Sequence, residues 1–292
     1  MSTKSDLPQK RKSPLVVHSN NLMLKTANDF GTNQLRLFFY VLSQIPRGAD
    51  TIPPISVDVH SILQILGIEL NDSGWRHHVK TTLDDLATRL VYAIDTESNL
   101  YRMTWFDYIR QDASGSNYVF QLRKSLEPFL LRLTREFTRY QFAYLLQFQS
   151  SYAIKLYDCF QGFSFRGDVT LSLDEFRQLM SLKRFDQDGN IIADKYPTYE
   201  NLARKVVRPA IKEINETSDL YVTFEPVKDI SDRRKFSGIR FVIQEKENPP
   251  VYDYVIPSAT LSQDVPFPFL PHDDGLADLI DVGCDPENGE AL

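Results

Sequence analysis

The run LARKVVRPAIKEIN, Leu202 to Asn215, carries Arg204, Lys205, Arg208 and Lys212 with no acidic residue before Glu213. Wound at ~100° per residue, Asn201 and these four cations share an arc of roughly 100°, and Leu202, Ala203, Val206, Val207, Ala210 and Ile214 take the opposite side. One side reads as core and the other as a surface for polyanions. Arg forks onto guanine and Asn onto adenine in the major groove, so Thr198, Asn201, Arg204 and Lys205, at the leading end, are the base-reading candidates. Arg208 and Lys212, further along, suit phosphates. The plain alternative is a solvated basic stripe. Pro209 removes a hydrogen bond to the Lys205 carbonyl and costs about 3 kcal/mol in a regular helix interior. A kink there would aim the leading half while the trailing half packs, or would be a structural bend only.

Two further sets have suitable chemistry. The loop DISDRRKFSG clusters Arg233, Arg234 and Lys235, fit for phosphate contacts or for solubility alone. Ser73, Trp75, Arg76, His77 and Lys80 lead another helical stretch, with Asp84 and Asp85 following on its exposed side, where they would repel phosphates. His77 and His78 diverge by ~100° as helical neighbours and make a poor metal pair. DQDGN, residues 186–190, imitates the start of a calcium loop, but Pro197 stands where the twelfth-position Glu is required, so it reads as a turn. Arg166-Gly167-Asp168 reads as a turn as well. No metal and no cofactor is expected.

The elements that position these residues follow a repeated order. After a flexible basic arm (1–13), PLVVHSNNLML reads as a strand and TANDFGTNQLRLFFYVLSQI as a helix capped by Thr32. PPISVDV is a strand, HSILQILGI a short helix, NDSG a turn and WRHHVKTTLDDLATRLV a longer helix. VYAIDTESNLYRMTWFDYI and NYVFQLR form a hairpin around QDASGS. Helical RLTREFTRYQFAYLLQF leads to a boundary near Gln147 to Ser151. The second half repeats the order: helix FQSSYAIKLYDCFQGF, strand DVTLSL, helix DEFRQLMSL, a long connection KRFDQDGNIIADKYP, the basic helix, then the hairpin LYVTFEPVK and FSGIRFVIQ around DISDRR. Each half is a helix-turn-helix plus β-hairpin, the plan of a winged helix. The fold class is α+β, with tandem winged-helix domains over 14–148 and 149–246. Pro-rich residues 247–292 are expected to form a disordered acidic tail.

The 292 residues carry a net charge of -6, but ten of the 39 acidic residues and none of the 33 Lys and Arg lie at 247–292. Residues 1–246 therefore hold 33 basic against 29 acidic side chains, a net of +4. The tail can compete with phosphate as a tethered polyanion, or serve as a solvated appendage or a docking peptide. Cys159 and Cys284 have no partner pattern for zinc or disulfides, which suits a reducing cytosol. No apolar run reaches the ~18 residues of a membrane span, and the polar basic start has no signal-peptide core.

Three segments carry a family likeness: VVHSNNLMLKTANDFGTNQLRLFFYVLSQI, QSSYAIKLYDCF and NLARKVVRPAIKEINETSDLYVTFEPV. With these the chain resembles the iteron-binding, double winged-helix initiators of plasmid replication across residues 14–246. The resemblance implies binding to repeated origin sequences as a monomer, melting of adjacent A·T-rich DNA and autorepression as a homodimer. It also implies host initiator, helicase and chaperone partners, dimerisation through the first module, and a bacterial, plasmid-encoded cytoplasmic protein. Residue arithmetic alone supports a two-module binder of double-stranded DNA. A nicking initiator would need a His-x-His metal motif, and an ATPase a Gly-x-x-x-x-Gly-Lys-(Ser/Thr) run, and neither occurs. A sequence-specific transcriptional repressor shares every DNA-binding feature and stays open.

Overall fold

The structure, a computed structural model, describes residues 13–261 apart from 21, 23–25, 28, 95–99, 135–136, 186–190, 255 and 257–259. The first half runs β1 (Leu15–Ser19), β2 (Thr26–Ala27), α1 (Thr32–Ser43), β3 (Ile55–Asp58), α2 (Val59–Leu66), α3 (Trp75–Thr88), β4 (Val91–Ile94), β5 (Leu100–Met103), β6 (Phe106–Gln111) and β7 (Asn117–Leu122). After α4 (Glu127–Leu130), β8 (Phe137–Gln141) and α5 (Ala143–Gln147) come α6 (Ser151–Phe163), β9 (Asp168–Ser172), α7 (Leu173–Leu179), β10 (Lys183–Phe185) and β11 (Ile191–Asp194). A helix in three parts follows: α8 (Tyr199–Leu202), a π-helical segment (Ala203–Val207) and α9 (Arg208–Thr217). β12 (Leu220–Lys228), β13 (Phe236–Glu245) and β14 (Thr260–Leu261) complete the order.

Each half contains the expected helix-turn-helix and hairpin: α2, α3 and β6–β7, then α7, α8–α9 and β12–β13. Local chemistry sets the ends. Asp58 accepts the Ser61 amide at 2.9 Å to start α2, and Gly67, at φ 68° in the left-handed region, stops it. Ser172 and Glu175 close a capping box on α7, so the chain turns from β9 directly into the helix.

Four local expectations are corrected. Thr32 is the first helical residue rather than a cap: Gly31 holds that position and the Thr32 hydroxyl donates to the Gln149 carbonyl at 3.0 Å. Within RLTREFTRYQFAYLLQF, residues 137–141 form β8, antiparallel to β1, because Thr138 and Tyr140 alternate inward with period two. The alternating stretch at 91–109 falls into three strands, β4 pairing β5 and β6 pairing β7. The connection before the basic helix contains its own hairpin, β10–β11. The DQDGN turn lies outside the described residues.

One helix joins the halves. Ala153 to Phe160 of α6 are all buried, so this helix is covered on every side, as a helix serving two cores must be. On its first-module side, His18 Nε2 meets Asp158 Oδ1 at 2.7 Å and His18 Nδ1 meets the Ser19 carbonyl at 2.9 Å. Acceptors facing both ring nitrogens favour the doubly protonated imidazolium. Burial opposes that charge, but the Asp158 carboxylate and the hydrogen bonds outweigh it and raise the His18 pKa. Tyr140 donates to the same Asp158 oxygen at 2.7 Å. Buried Arg36 donates to the carbonyls of Leu146 (3.1 Å) and Phe148 (2.7 Å), and Glu213 of α9 accepts the Gln149 amide.

The tail begins later than its composition suggests. Tyr144 donates to the Pro250 carbonyl at 3.3 Å, Tyr252 donates to the Thr217 carbonyl at 2.9 Å, and Tyr254 and Ile256 are buried. Thr260 and Leu261 then pair with Ser56 and Ile55 on β3. Val251 and Asp253 face out while 252, 254 and 256 face in, so the segment is an extended strap with one apolar side. Residues 262–292, which hold most of the acidic tail, lie outside the described residues.

Candidate nucleic-acid interface

The helix Tyr199–Thr217 repeats its burial every four residues: Leu202 and Ala203, Val206 and Val207, Ala210 and Ile211, then Ile214. A regular α-helix drifts by ~40° over each four residues, so this pattern would smear across ~80° between Arg204 and Arg208 and on to Lys212. The π-helical segment removes the drift. Its wider turn lets the Arg208 amide reach back to the Ala203 carbonyl, and Pro209, which has no amide to offer, follows directly in the first turn of α9. Arg204, Lys205, Arg208 and Lys212 are all exposed, and Asn201 is half-buried.

The entry to that helix is built from the helix before it. Tyr196 sits in the left-handed region at φ 56°, a conformation costing ~1–3 kcal/mol for a residue with a side chain. Arg177 of α7, buried, donates to the Tyr196 carbonyl at 3.1 Å and to the Pro197 carbonyl, and so holds the turn closed. Thr198 then caps α8, its hydroxyl accepting the Asn201 amide at 3.4 Å. Asn201 in turn accepts from Arg204 Nη2 at 3.0 Å. Thr198 is thereby engaged in capping, while Asn201 and Arg204 form one polar unit at the leading end.

The wing stands beside this helix. Tyr199 of α8 meets Phe236 of β13 with 4.5 Å between ring centroids, and the Lys228 ammonium lies 5.0 Å from the same Phe236 ring. At the tip, Asp229 accepts from the Ser231 hydroxyl and from the Ser231 and Asp232 amides, and these bonds hold its carboxyl below the usual carboxylate range. Asp232 pairs with Arg234 at 3.1 Å and lies 3.9 Å from Lys235. Arg233, Lys205 and Arg208 form no ion pair among the described residues, and Lys212 lies 3.8 Å from Glu216.

In the first module, Val79, Leu83 and Leu86 face the core and turn Arg76, His77 and Lys80 outward; Ser73 is exposed just before the helix. Trp75 is half-buried with the Arg76 guanidinium 4.7 Å from its ring centroid. The expected repulsion by two carboxylates is halved: Asp85 is paired with Arg89 at 3.0 Å and accepts from Gln34, leaving Asp84 exposed. Among the described residues, no group of three or more His, Cys, Asp or Glu is placed to hold a metal, and no helix is long and apolar enough to cross a membrane.

The structure thus brings Asn201, Arg204, Lys205, Arg208 and Lys212 onto one face, with Arg233, Arg234 and Lys235 on the adjoining wing, and leaves the Ser73–Lys80 set on its own helix. Sequence reading passes over Tyr199, Lys228 and Arg177. The signal for the first two is an aromatic residue at each root of the wing and helix; an arginine beside Phe176 on a short helix is the signal for the third.

The family model described as "Initiator Replication protein, WH1" matches residues 15–161, and that described as "Initiator Rep protein, WH2" matches residues 172–243. A "Probable replication protein rep" of Bifidobacterium longum (strain NCC 2705) is 23% identical over 235 residues, covering 80% of this chain and 72% of its own. The "PI protein" of Escherichia coli is 26% identical over 160 residues, 52% of this chain, which spans about half (51%) of that relative's length. Among solved structures, a Pi initiator protein in complex with iteron DNA superposes with a TM-score of 0.65 at 19% identity, over 82% of this chain and 100% of that one, and so shares its fold. Two winged helices in tandem, each matched by the corresponding family model, place this chain in the replication initiator protein family.

Proposed function

We propose that this protein initiates plasmid replication by binding repeated origin sequences. The observation that carries this reading is the drift-free basic face of the second module with a basic wing tip beside it, joined through Tyr199 and Phe236. Asn201 and Arg204 read base edges at the leading end of the helix; Lys205, Arg208 and Lys212 hold phosphates along it, and Arg233, Arg234 and Lys235 hold those under the wing. Ser73, Trp75, Arg76, His77 and Lys80 of the first module add contacts of lower charge density. The Pi initiator protein that shares the fold was solved in complex with iteron DNA, which supports the same class of target here.

In this reading the monomer binds the repeats and assists opening of adjacent A·T-rich DNA, and a homodimer formed through the first module represses the protein's own gene. Host initiator, helicase and chaperones act with it in a bacterial cytoplasm. The protein acts by binding and deforming DNA, not by turning over a substrate. The test is a footprint on the DNA neighbouring the gene, with permanganate to detect unpaired thymine. Protection of tandem repeats of about twenty base pairs with nearby reactive thymines supports initiation. Protection of a lone inverted repeat without opening would make the protein a transcriptional repressor instead.

A further inference from the structure

A cavity of about 420 Å³ opens on the first module between the end of α1 and the β1–β8 ribbon. Leu15, Val17, Leu42 and Leu131 make its walls apolar, and Phe137, also lining it, is 43% exposed. Arg47, Arg132 and Arg139 line it too; Arg47 and Arg139 are exposed, and Arg132 is paired with exposed Asp50 at 2.7 Å. An apolar cleft edged by guanidinium groups fits a segment that has aromatic residues followed by carboxylates.

The strap delivers such a segment. β14 is antiparallel to β3, with Thr260 opposite Ser56 and Leu261 opposite Ile55, so at Leu261 the strand points toward residues 54 to 47. A segment that kept this register would bring Phe267 and Phe269 opposite Ala49 and Arg47, and Arg47 lines the cleft. Residues 265–274 read VPFPFLPHDD. Pro266, Pro268 and Pro271 favour an extended backbone and remove ladder donors, which leaves side-chain insertion as the mode of attachment.

We propose that residues 265–274 dock in this cleft, with Phe267 and Phe269 entering the apolar part and Asp273 and Asp274 meeting the arginines. Charge decides between the two ends of the chain. Pro14 also lines the cleft, but the arm that precedes it carries Lys4, Lys10, Arg11 and Lys12 against Asp6, and the arginines repel it. Tethering through β14 keeps the segment at high effective concentration, so a weak contact suffices.

The experiment uses the full chain with Phe267→p-benzoylphenylalanine, irradiated in an equal mixture of light and heavy isotope-labelled protein. Cross-links within one chain to residues 42–48 or 130–139 are the expected result, and Arg47→Glu with Arg139→Glu should lower their yield. In the Phe267→Ala, Phe269→Ala variant, whose changes lie outside both modules, amides 137–139 should exchange about tenfold faster. Links to the Arg204–Lys212 face would overturn the proposal in favour of a tethered polyanion, and light-to-heavy links in favour of a second copy. Absence of any link, or unchanged exchange at 137–139, overturns it outright.

Discussion

Tyr199 on the reading helix and Phe236 at the root of the wing meet ring to ring, 4.5 Å between centroids, with Lys228 over the second ring at 5.0 Å. The helix and the wing are therefore tied together by a direct side-chain contact. Aromatic pairs of this kind contribute ~0.5–1.5 kcal/mol beyond area burial. Tyr199→Ala and Phe236→Ala should each weaken binding to the cognate repeat, and the double variant should be weaker than either by less than the sum. Additive losses in a binding cycle would show that helix and wing engage DNA independently.

Arg204 is held by Asn201 at 3.0 Å, so in the proposed role it would meet DNA with part of its side-chain freedom already given up. Arg204→Ala should cost ~1–3 kcal/mol on the cognate repeat and relax preference at one base pair. Equal weakening on cognate and random DNA would identify a phosphate contact instead. Asn201→Ala should reproduce part of the effect by freeing Arg204.

The wing arginines make a prediction in salt rather than in sequence. Replacing Arg233, Arg234 and Lys235 together by Ala should make log affinity fall less steeply with log salt, by up to about 0.9 for each phosphate no longer neutralised. Arg234 and Lys235 already share Asp232, so the largest single change is expected from Arg233→Ala. An unchanged slope would remove the wing from the interface.

Pro209→Ala separates stability from reading. In a regular helix interior the exchange would stabilise by up to about 3 kcal/mol. Here the π-helical segment already accommodates the ring, so urea unfolding should change by much less. Cognate affinity should nevertheless fall, because a helix free to tighten into α geometry brings back the ~40° drift between Arg204 and Arg208. A strong gain in stability with unchanged affinity would make Pro209 a structural bend only.

Two buried cations on the shared helix's two sides respond to pH with opposite signs. The folded pKa of His18 is raised above 6.5, so its pairing with Asp158 stabilises fully below pH 6.5 and that contribution is lost as pH rises through the raised value. Burial pushes the Lys155 ammonium down to about 7 from 10.5, only partly opposed by Asp29; its cost is full below pH 7 and is relieved as pH climbs toward 10.5. Lys155→Met should abolish the alkaline gain and expose the His18 decline in unfolding measurements from pH 6 to 10. Asp158→Asn should remove that decline and cost ~3–5 kcal/mol below pH 6.5 by leaving a buried imidazolium without its counter-ion.

Much of the architecture was legible because its signals are local. The short helices HSILQILGI and DEFRQLMSL, the NDSG turn and the polar loops of both wings are written within a few residues of where they act. The misread stretches are those in which a distant partner decides. Residues 137–141 become a strand because β1 offers a register, and residues 252–256 become a strap because Thr217 of α9 and the aromatic rings of Phe142 and Tyr144 hold Tyr252 and Tyr254. Composition alone assigned that strap to a tail rich in Pro and Asp.

The same division runs through the interface. Which side of the helix is basic follows from the local chain, since alternation of charge and apolar residues at helical spacing needs no other part of the protein. The two-module plan and the likeness to replication initiators are local in the same sense. That the basic side runs straight is a result of packing, because the burial of Val206, Val207, Ala210 and Ile211 holds a π-helical turn that propensity alone would not select. Packing also closes the turn at Tyr196 with Arg177 and ties the helix to the wing through Tyr199. Those outcomes rest on contacts between residues far apart in the chain, and only assembly around a common core brings them within reach.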